Sequence, residues 1–371
     1  MTKKSGGNME NRVFNFSAGP AVLPEEVLLE IKEDLLNYKG KGMSVMEMSH
    51  RSKDYQAIFA ETVDGVKRVW GLEEDFEVIF LGGGATTQFL MTALNFCPDD
   101  KVANYILTGT WAKNAYKEAK KAGKKNHIAA SSEDKNFSYI PQAFSLSDNP
   151  AYLHITTNNT ISGTQFRNYP DLPAEVPLFA DMSSDIMSRP INVKKFGVIY
   201  AGAQKNIGPA GVTMILIRKD LLDRLQPDLP TMLSYKTHID KGSMHNTPPT
   251  FPIYIVGLVM KWLEKMGGLE AIEKINEEKA AFIYNTIDNS NGYYKGTTAK
   301  ESRSLMNATF RLPSEELEAK FISEAAANKM SGLKGHRSVG GCRASIYNAM
   351  PMEGAKTLAQ FMKEFQANNP A

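Results

Sequence analysis

The chain has 371 residues, a length that suits two packed domains better than one small core. It is 42% hydrophobic and 23% charged with a net charge of +2, which gives no nucleic-acid or membrane-surface footprint. Two cysteines, Cys97 and Cys342, are too few for a disulfide framework and fit a reducing cytosol. The polar leader of residues 1–11 has Lys3 and Lys4 but no apolar stretch, and reads as a frayed terminus, not a signal peptide.

From about residue 60 to 265, short apolar runs alternate with amphipathic stretches. Glu77–Leu81 predicts a strand, a glycine-rich turn follows, and Thr86–Asn95 has helical character. Val102–Leu107 predicts a second strand and Trp111–Ala122 a Lys- and Ala-rich helix. Tyr152–Thr156, Val176–Ala180, Gly197–Tyr200 and Thr213–Ile217 are short, β-branched or aromatic, and bounded by turn residues. Strands alternating with helices predict a doubly wound, mainly parallel α/β sheet, which binds ligands beyond the carboxyl ends of its strands. The longest apolar run, Phe251–Met260, contains Pro252 and Gly257 and is about half as long as a bilayer span, so a cytoplasmic location is expected. After Gly267 and Gly268 the pattern becomes that of a smaller α+β domain. Its expected elements are a helix over Leu269–Asp288, a strand over Leu305–Leu312, a helix over Ser314–Ala327, a strand over Arg343–Tyr347 and a helix over Glu353–Phe365.

The candidate chemical groups follow the predicted strands. Leu81-Gly-Gly-Gly-Ala-Thr-Thr-Gln88 stands between a strand and a helix, where glycines admit an anion close to the backbone and a helix start presents free N–H groups. It is neither a Walker A loop nor a dinucleotide fingerprint, and a plain tight turn is the alternative reading. Asp181 directly follows the run Val176–Ala180, where an Asp is otherwise a turn cap. Lys205 lies past the next strand in Tyr200-Ala-Gly-Ala-Gln-Lys-Asn-Ile-Gly-Pro-Ala-Gly211. An acid at one strand end and a lysine past the next meet in one crevice of such a sheet. That pair suits pyridoxal phosphate, because a lysine amine forms a Schiff base with it and a carboxylate keeps its pyridine nitrogen protonated. The carboxylate contact is worth on the order of several kcal/mol at an effective dielectric near ~20. Trp111 is placed to stack on the ring, or else to fill the core. Two His-Arg pairs, His50-Arg51 and His336-Arg337, together with Arg343, favour binding of carboxylate or phosphate. The remaining histidines show no metal-ligand spacing, so no metal site is expected.

Several segments together resemble one family. They are Asn15-Phe-Ser-Ala-Gly-Pro20, Met48-Ser-His-Arg-Ser52, Gly202-Ala-Gln-Lys-Asn-Ile-Gly-Pro-Ala-Gly211, Asn246-Thr-Pro-Pro-Thr250 and Gly335-His-Arg-Ser-Val-Gly-Gly341, with Arg343-Ala-Ser-Ile-Tyr-Asn-Ala349. From about Arg12 to the last predicted helix the chain is similar to the class V, fold-type I aminotransferases that use pyridoxal phosphate. The resemblance implies an N-terminal segment (residues 1–24) joining the small domain, a large cofactor-binding domain (25–265) and a small C-terminal domain (266–371). It implies a homodimer moving amino groups from L-glutamate to 3-phosphohydroxypyruvate, giving phosphoserine and 2-oxoglutarate in serine biosynthesis. A related phosphorylated 2-oxo acid on the pyridoxine route is a further substrate of bacterial members. Carried over by position, Lys205 is the Schiff-base lysine, Asp181 the partner of the pyridine nitrogen, and Trp111 the stacking ring. Thr160 lies near the phenolic oxygen, and Ala85, Thr86 and Gln204 meet the cofactor phosphate, joined by Asn246 and Thr247 from the partner subunit. Arg343 holds the substrate α-carboxylate, while His50, Arg51, His336 and Arg337 hold the distal phosphate or carboxylate. Gly-Ala-Thr-Thr at residues 84–87 replaces the Gly-Arg-Gly of some relatives, so only backbone contacts carry over there. A cysteine desulfurase of the same class is the nearest alternative, but it needs a mobile nucleophilic thiol, and Cys342 beside a predicted strand reads as structural. A silent cofactor-binding protein is another, marked by loss of Lys205 or Arg343, both of which are present.

Overall fold

The computed structural model describes residues 12–370, so the reading of residues 1–11 as a frayed terminus lies outside the described residues. A two-residue strand, β1 (Phe14–Asn15), precedes helices α1 (Glu25–Asp34) and α2 (Lys53–Trp70). Strands and helices then alternate: β2 (Phe76–Leu81), α3 (Gly84–Phe96), β3 (Val102–Leu107), α4 (Thr110–Lys121), β4 (Asn126–Ser131) and β5 (Pro150–Thr156). The hairpin β6 (Asn158–Asn159) and β7 (Thr164–Gln165) leads to β8 (Leu178–Asp181), β9 (Phe196–Gly202) and β10 (Thr213–Arg218). Three helices follow, α5 (Tyr235–Asp240), α6 (Thr250–Lys265) and α7 (Gly268–Asp288). The rest comprises β11 (Lys295–Gly296), β12 (Asn307–Arg311), α8 (Glu315–Ala327), β13 (Met330–Ser331), β14 (Cys342–Ser345) and α9 (Met352–Asn368).

The main sheet has seven strands in the order β2-β10-β9-β8-β5-β3-β4. All pairings from β9 to β4 are parallel, and β10 alone runs antiparallel to both its neighbours. Both faces of the sheet are covered, as the period-two alternation of its strands requires. Phe76, Val78 and Phe80 of β2 enter a core with α2 and α6, while Ile79 and Leu81 enter a second core with α3 and α4. Met214 and Leu216 of β10 divide from Ile215 and Ile217 in the same way.

Most elements fall within a residue or two of their predicted places, but several carried no such prediction. Helix α2 starts where the Ser52 hydroxyl accepts from the Tyr55 amide and ends at Gly71 in the left-handed region, φ 61°. The apolar run Phe251–Met260 is the body of α6, and Pro252 sits in its first turn, where a missing N–H costs nothing. Its Gly257 lets α6 press against α2, since a Cβ there would lie 2.5 Å from Thr62 Oγ1.

A third core is built from Phe16 and from residues of α7, β12, α8, β14 and α9. Strands β11, β12 and β14 form an antiparallel sheet at its centre. The N-terminal segment belongs to this layer, because β1 pairs in parallel with β13 and Phe16 N donates to Ser331 O at 2.8 Å.

Candidate active site

Strands β2, β3, β5, β8 and β9 all end at the same edge of the sheet, and the loops that leave them converge there. Thr213 stands opposite both Leu81 and Gly202, and Asp181 opposite both Thr156 and Tyr200. The chain thus delivers Gly82–Thr86, Thr108–Trp111, Thr157–Thr160, Asp181–Ser184 and Gly202–Lys205 to one crevice, as the carboxyl edge of a parallel sheet does.

Thr160 joins the two halves of this site. Lys205 Nζ donates to Thr160 Oγ1 at 2.7 Å, and Arg343 Nη1 donates to the Thr160 carbonyl at 3.2 Å. Arg343 stands on β14, opposite Thr309 of β12, so the site straddles the main sheet and the smaller one. The Lys205 ammonium lies 5.7 Å from the Trp111 ring centroid. From the N-terminal segment, Ala21 N donates to Gln204 O at 2.9 Å, and a Cβ at Gly19 would lie 3.2 Å from Lys205 Cγ. Tyr347 OH fixes the same segment by donating to Ala18 O at 2.7 Å.

Burial sets the protonation of the central groups. It pushes the Lys205 ammonium down to about 8, against the pull of Asp181 and with an added push from Arg343. Burial raises the Asp181 carboxyl above its ordinary 3.8, opposed by the charge of Lys205 and by bonds from Ser183. Ser183 donates to Asp181 Oδ1 from its amide at 2.9 Å and its hydroxyl at 2.6 Å, and its oxygen accepts from Gly202 N at 3.1 Å. Sequence reading passed over Ser183, although its place two residues after a strand-end Asp is a known turn signal. Burial also lowers the His336 imidazolium, and Arg343 and Arg337 push the same way.

The residues present fit pyridoxal phosphate. A lysine that burial makes easier to deprotonate, a buried carboxylate and an aromatic face are the groups that its carbonyl, ring nitrogen and ring plane need. Trp111 Nε1 and Arg343 Nε are buried with no hydrogen-bond partner among the described residues, so polar capacity is left for a ligand. Helix α3 opens on Gly83, φ 89°, with no side-chain cap and no acid in its first turn, so its N–H groups are free for a phosphate at Ala85 and Thr86. At Gly109 a Cβ would come within 2.6 Å of Asn159 Oδ1, so the turn that leads into α4 and Trp111 passes where only glycine fits.

The remaining predicted residues divide into three groups. His336 and Arg343 line one cavity of about 520 Å³ with Ser162, Thr297 and Ser338, while Arg337 is exposed on the same turn. Asn246 and Thr247 are exposed and line a separate cavity of about 440 Å³ with Gly82 and Thr87. His50 and Arg51 lie on the turn before α2, and no hydrogen bond or ion pair among the described residues joins them to Lys205 or Arg343. His50 is 7% exposed, yet its Nε2 has no partner among the described residues.

Both cysteines are buried, and burial raises both thiols, a setting that disfavours a nucleophile. Cys342 is the first residue of β14, buried in the third core, and burial pushes its thiol up to about 12. Cys342→Ala is expected to keep amino-transfer activity within about two-fold and to cost about 1 kcal/mol of stability, as a small core truncation does. Loss of turnover with an intact fold would restore the thiol-based alternative.

The family model for class-V aminotransferases matches residues 13–358. The chain is 56% identical over 362 residues to the phosphoserine aminotransferase of Desulfosudis oleivorans, covering 97% of this chain and 100% of that one. It superposes with a TM-score of 0.94 on a phosphoserine aminotransferase whose Schiff base was studied under radiation damage, at 49% identity, covering 97% of this chain and 100% of that one. The pyridoxal-phosphate-bound phosphoserine aminotransferase of Trichomonas vaginalis is similar as well, with a TM-score of 0.90, 39% identity and coverage of 95% of this chain and 100% of that one.

Proposed function

The chain belongs to the class-V aminotransferases, and on that premise we propose that it performs the phosphoserine aminotransferase reaction with pyridoxal phosphate as cofactor. L-Glutamate gives its amino group to 3-phosphohydroxypyruvate, forming O-phospho-L-serine and 2-oxoglutarate in serine biosynthesis. The observation that carries this reading is the meeting of Lys205, Thr160 and Arg343 beside the buried Asp181 at the carboxyl edge of the sheet.

Bound pyridoxal phosphate supplies an electron sink that stabilises negative charge at the substrate α-carbon. The protein's own groups do the rest. Asp181, with its Oδ1 oriented by Ser183, would keep the ring nitrogen protonated. Trp111 would stack on the ring, Thr160 would meet the phenolic oxygen, and Ala85, Thr86 and Gln204 would hold the cofactor phosphate. Arg343 binds the α-carboxylate, a pairing for which its fork is suited. Lys205 Nζ, with its affinity for protons lowered by burial, would accept the α-proton in its free-amine form. His336 and Arg337 hold the distal phosphate, or the side-chain carboxylate of glutamate in the other half-reaction. Both substrates use the same groups in turn, which gives ping-pong kinetics.

The large domain of this reading covers residues 25–265, and of the described residues 12–24 join 266–370 in the small one. Among the described residues no helix is long and apolar enough to cross a membrane. The proposed site of action is the cytoplasm. Purified protein loaded with cofactor is assayed with phosphoserine and 2-oxoglutarate; glutamate formation supports the reading, and its absence with an intact fold rejects it.

The working unit of the proposal is a homodimer with shared sites. Asn246 and Thr247 have exposed side chains outside the cavity that His336 and Arg343 line, and the partner's cofactor phosphate is their proposed target. His50 and Arg51 cross in the same direction toward the partner's distal anion. Mixing inactive Lys205→Ala with inactive Asn246→Ala/Thr247→Ala under subunit exchange is expected to restore activity toward about half the native value per heterodimer, because one of its two sites is then fully native. No recovery despite demonstrated exchange means that each site is built within one chain.

A further inference from the structure

The turn that carries His336 and Arg337 closes on itself. Gly335 N donates to Gly341 O at 2.8 Å, and Val339 N and Gly340 N both donate to the His336 carbonyl at 2.9 Å. The His336 ring takes its orientation from the turn, since its Nδ1 lies 2.7 Å from Ser338 Oγ and accepts from Ser338 N at 3.2 Å. Residues 337–340 are exposed, so little core packing fixes the turn from outside.

One side chain does fix it. Arg311, at the end of β12, donates from Nη1 to the Val339 carbonyl at 2.9 Å. Gly340 and Gly341 lie in the left-handed region, φ 70° and 71°, and their backbone passes directly over the Arg311 side chain. A Cβ at Gly341 would lie 2.6 Å from Arg311 Cδ, and one at Gly340 3.1 Å from Arg311 Nη1. Arg311 is itself anchored. Its Nε donates to Glu318 Oε1, on a side chain only 8% exposed, and the same oxygen accepts from Leu312 N at 3.3 Å. Arg343 is tied down separately, by its amide to Leu333 O at 2.8 Å and by the β12–β14 ladder.

We propose that Arg311, held by Glu318, is a positioning residue for substrate specificity: it fixes the glycine-rich turn so that His336 and Arg337 meet the distal anion of the substrate. The inference rests on the reading that this turn binds the distal phosphate or carboxylate. Because Arg343 has its own supports, loss of Arg311 loosens recognition of the distal group and leaves recognition of the α-carboxylate intact. A rigid scaffold behind the binding groups is what makes such a subsite selective.

The test uses the cofactor-loaded enzyme and Arg311→Met, which keeps an unbranched stem and removes the guanidinium. KM for phosphoserine and for glutamate is expected to rise about ten-fold, the size of a lost contact of about 1.4 kcal/mol, while kcat changes less than about two-fold. The single-turnover rate with L-alanine, which has an α-carboxylate and no distal anion, is expected to stay the same. Glu318→Ala should show a weaker rise in both KM values, and Glu318→Gln, which keeps an acceptor oxygen for Arg311, should restore them. A lower melting temperature with unchanged KM values assigns Arg311 a purely structural role and overturns the proposal. If Arg311→Met does not fold, native KM values in Glu318→Ala overturn it equally. His336→Ala separates the two layers of the argument. Should it leave the phosphoserine KM unchanged, the turn does not bind the distal group; should it raise that KM while Arg311→Met does not, only the role of Arg311 falls.

Discussion

Lys205→Ala is expected to lower amino transfer by about five decades or more, the scale on which removal of a group acting as both nucleophile and base is felt. Lys205 Nζ sits at the meeting point of Thr160, Trp111 and the field of Asp181. Among the described residues no second amine is held there, since Lys135, which lines the neighbouring cavity, stands on an exposed turn. Borohydride reduction followed by peptide mass spectrometry is expected to find cofactor on the Lys205 peptide of the native protein and none on the variant. Wild-type turnover by Lys205→Ala would sink the mechanism. Direction of the pH response follows from burial. The proton-accepting amine fraction of Lys205 grows as pH rises through about 8, so in the unliganded protein its reactivity toward carbonyl reagents should climb over that interval and level off above it. The same shift bears on stability. Lys205 holds its proton less tightly in the fold than in the unfolded chain, so its contribution is unfavourable below about 8 and is relieved as pH rises from there toward 10.5.

Asp181→Asn is expected to retain cofactor and to slow proton abstraction by about two or more decades, since a neutral amide cannot hold the ring nitrogen protonated and a few kcal/mol of charge interaction is lost. Stability should move the other way. Burial raises the folded-state pKa of Asp181 above 3.8, so the ionised carboxylate costs stability once pH exceeds that folded value, and the cost vanishes below 3.8. The cofactor-free asparagine variant should therefore melt no lower than the native apoprotein at pH 7. Ser183 still finds an acceptor oxygen on the amide, which keeps the turn in place. Unchanged single-turnover proton abstraction would reduce Asp181 to a turn cap, and a sharp fall in the apoprotein melting temperature would make it structural.

The physical character of Lys205 depends on its surroundings more than on its loop. In Gly202–Gly211 alone it is a lysine among glycines and small residues, a setting normally solvated. Its burial comes from the N-terminal segment closing over it at Gly19 and Ala21, and from β14 bringing Arg343 alongside. Those contacts link residues more than 100 positions apart, and no window of sequence spans them.

What the sequence determined by itself was the alternation of strands and helices and the rule that chemistry gathers past strand ends. Val102–Leu107 shows the first point, since the predicted strand and β3 coincide, and Asp181 with Lys205 shows the second. Both are local. Strand periodicity and breaker residues are written within about ten positions, and a parallel sheet then sets the direction in which its loops emerge. Proposing the His-Arg segments as anion-binding took their likeness to a family, because a His-Arg pair carries no periodic signal. Tertiary structure alone decided that β10 runs antiparallel, that the two-residue strands β1 and β13 pair across more than 300 positions, and that Thr160 serves Lys205 with its hydroxyl and Arg343 with its carbonyl. It alone also placed Arg311 beneath the turn of His336. The β1–β13 pairing, the Thr160 contacts and the Arg311 contact each rest on a few hydrogen bonds between distant segments, whose partners are chosen by how the two sheets pack and not by any property of the residues beside them.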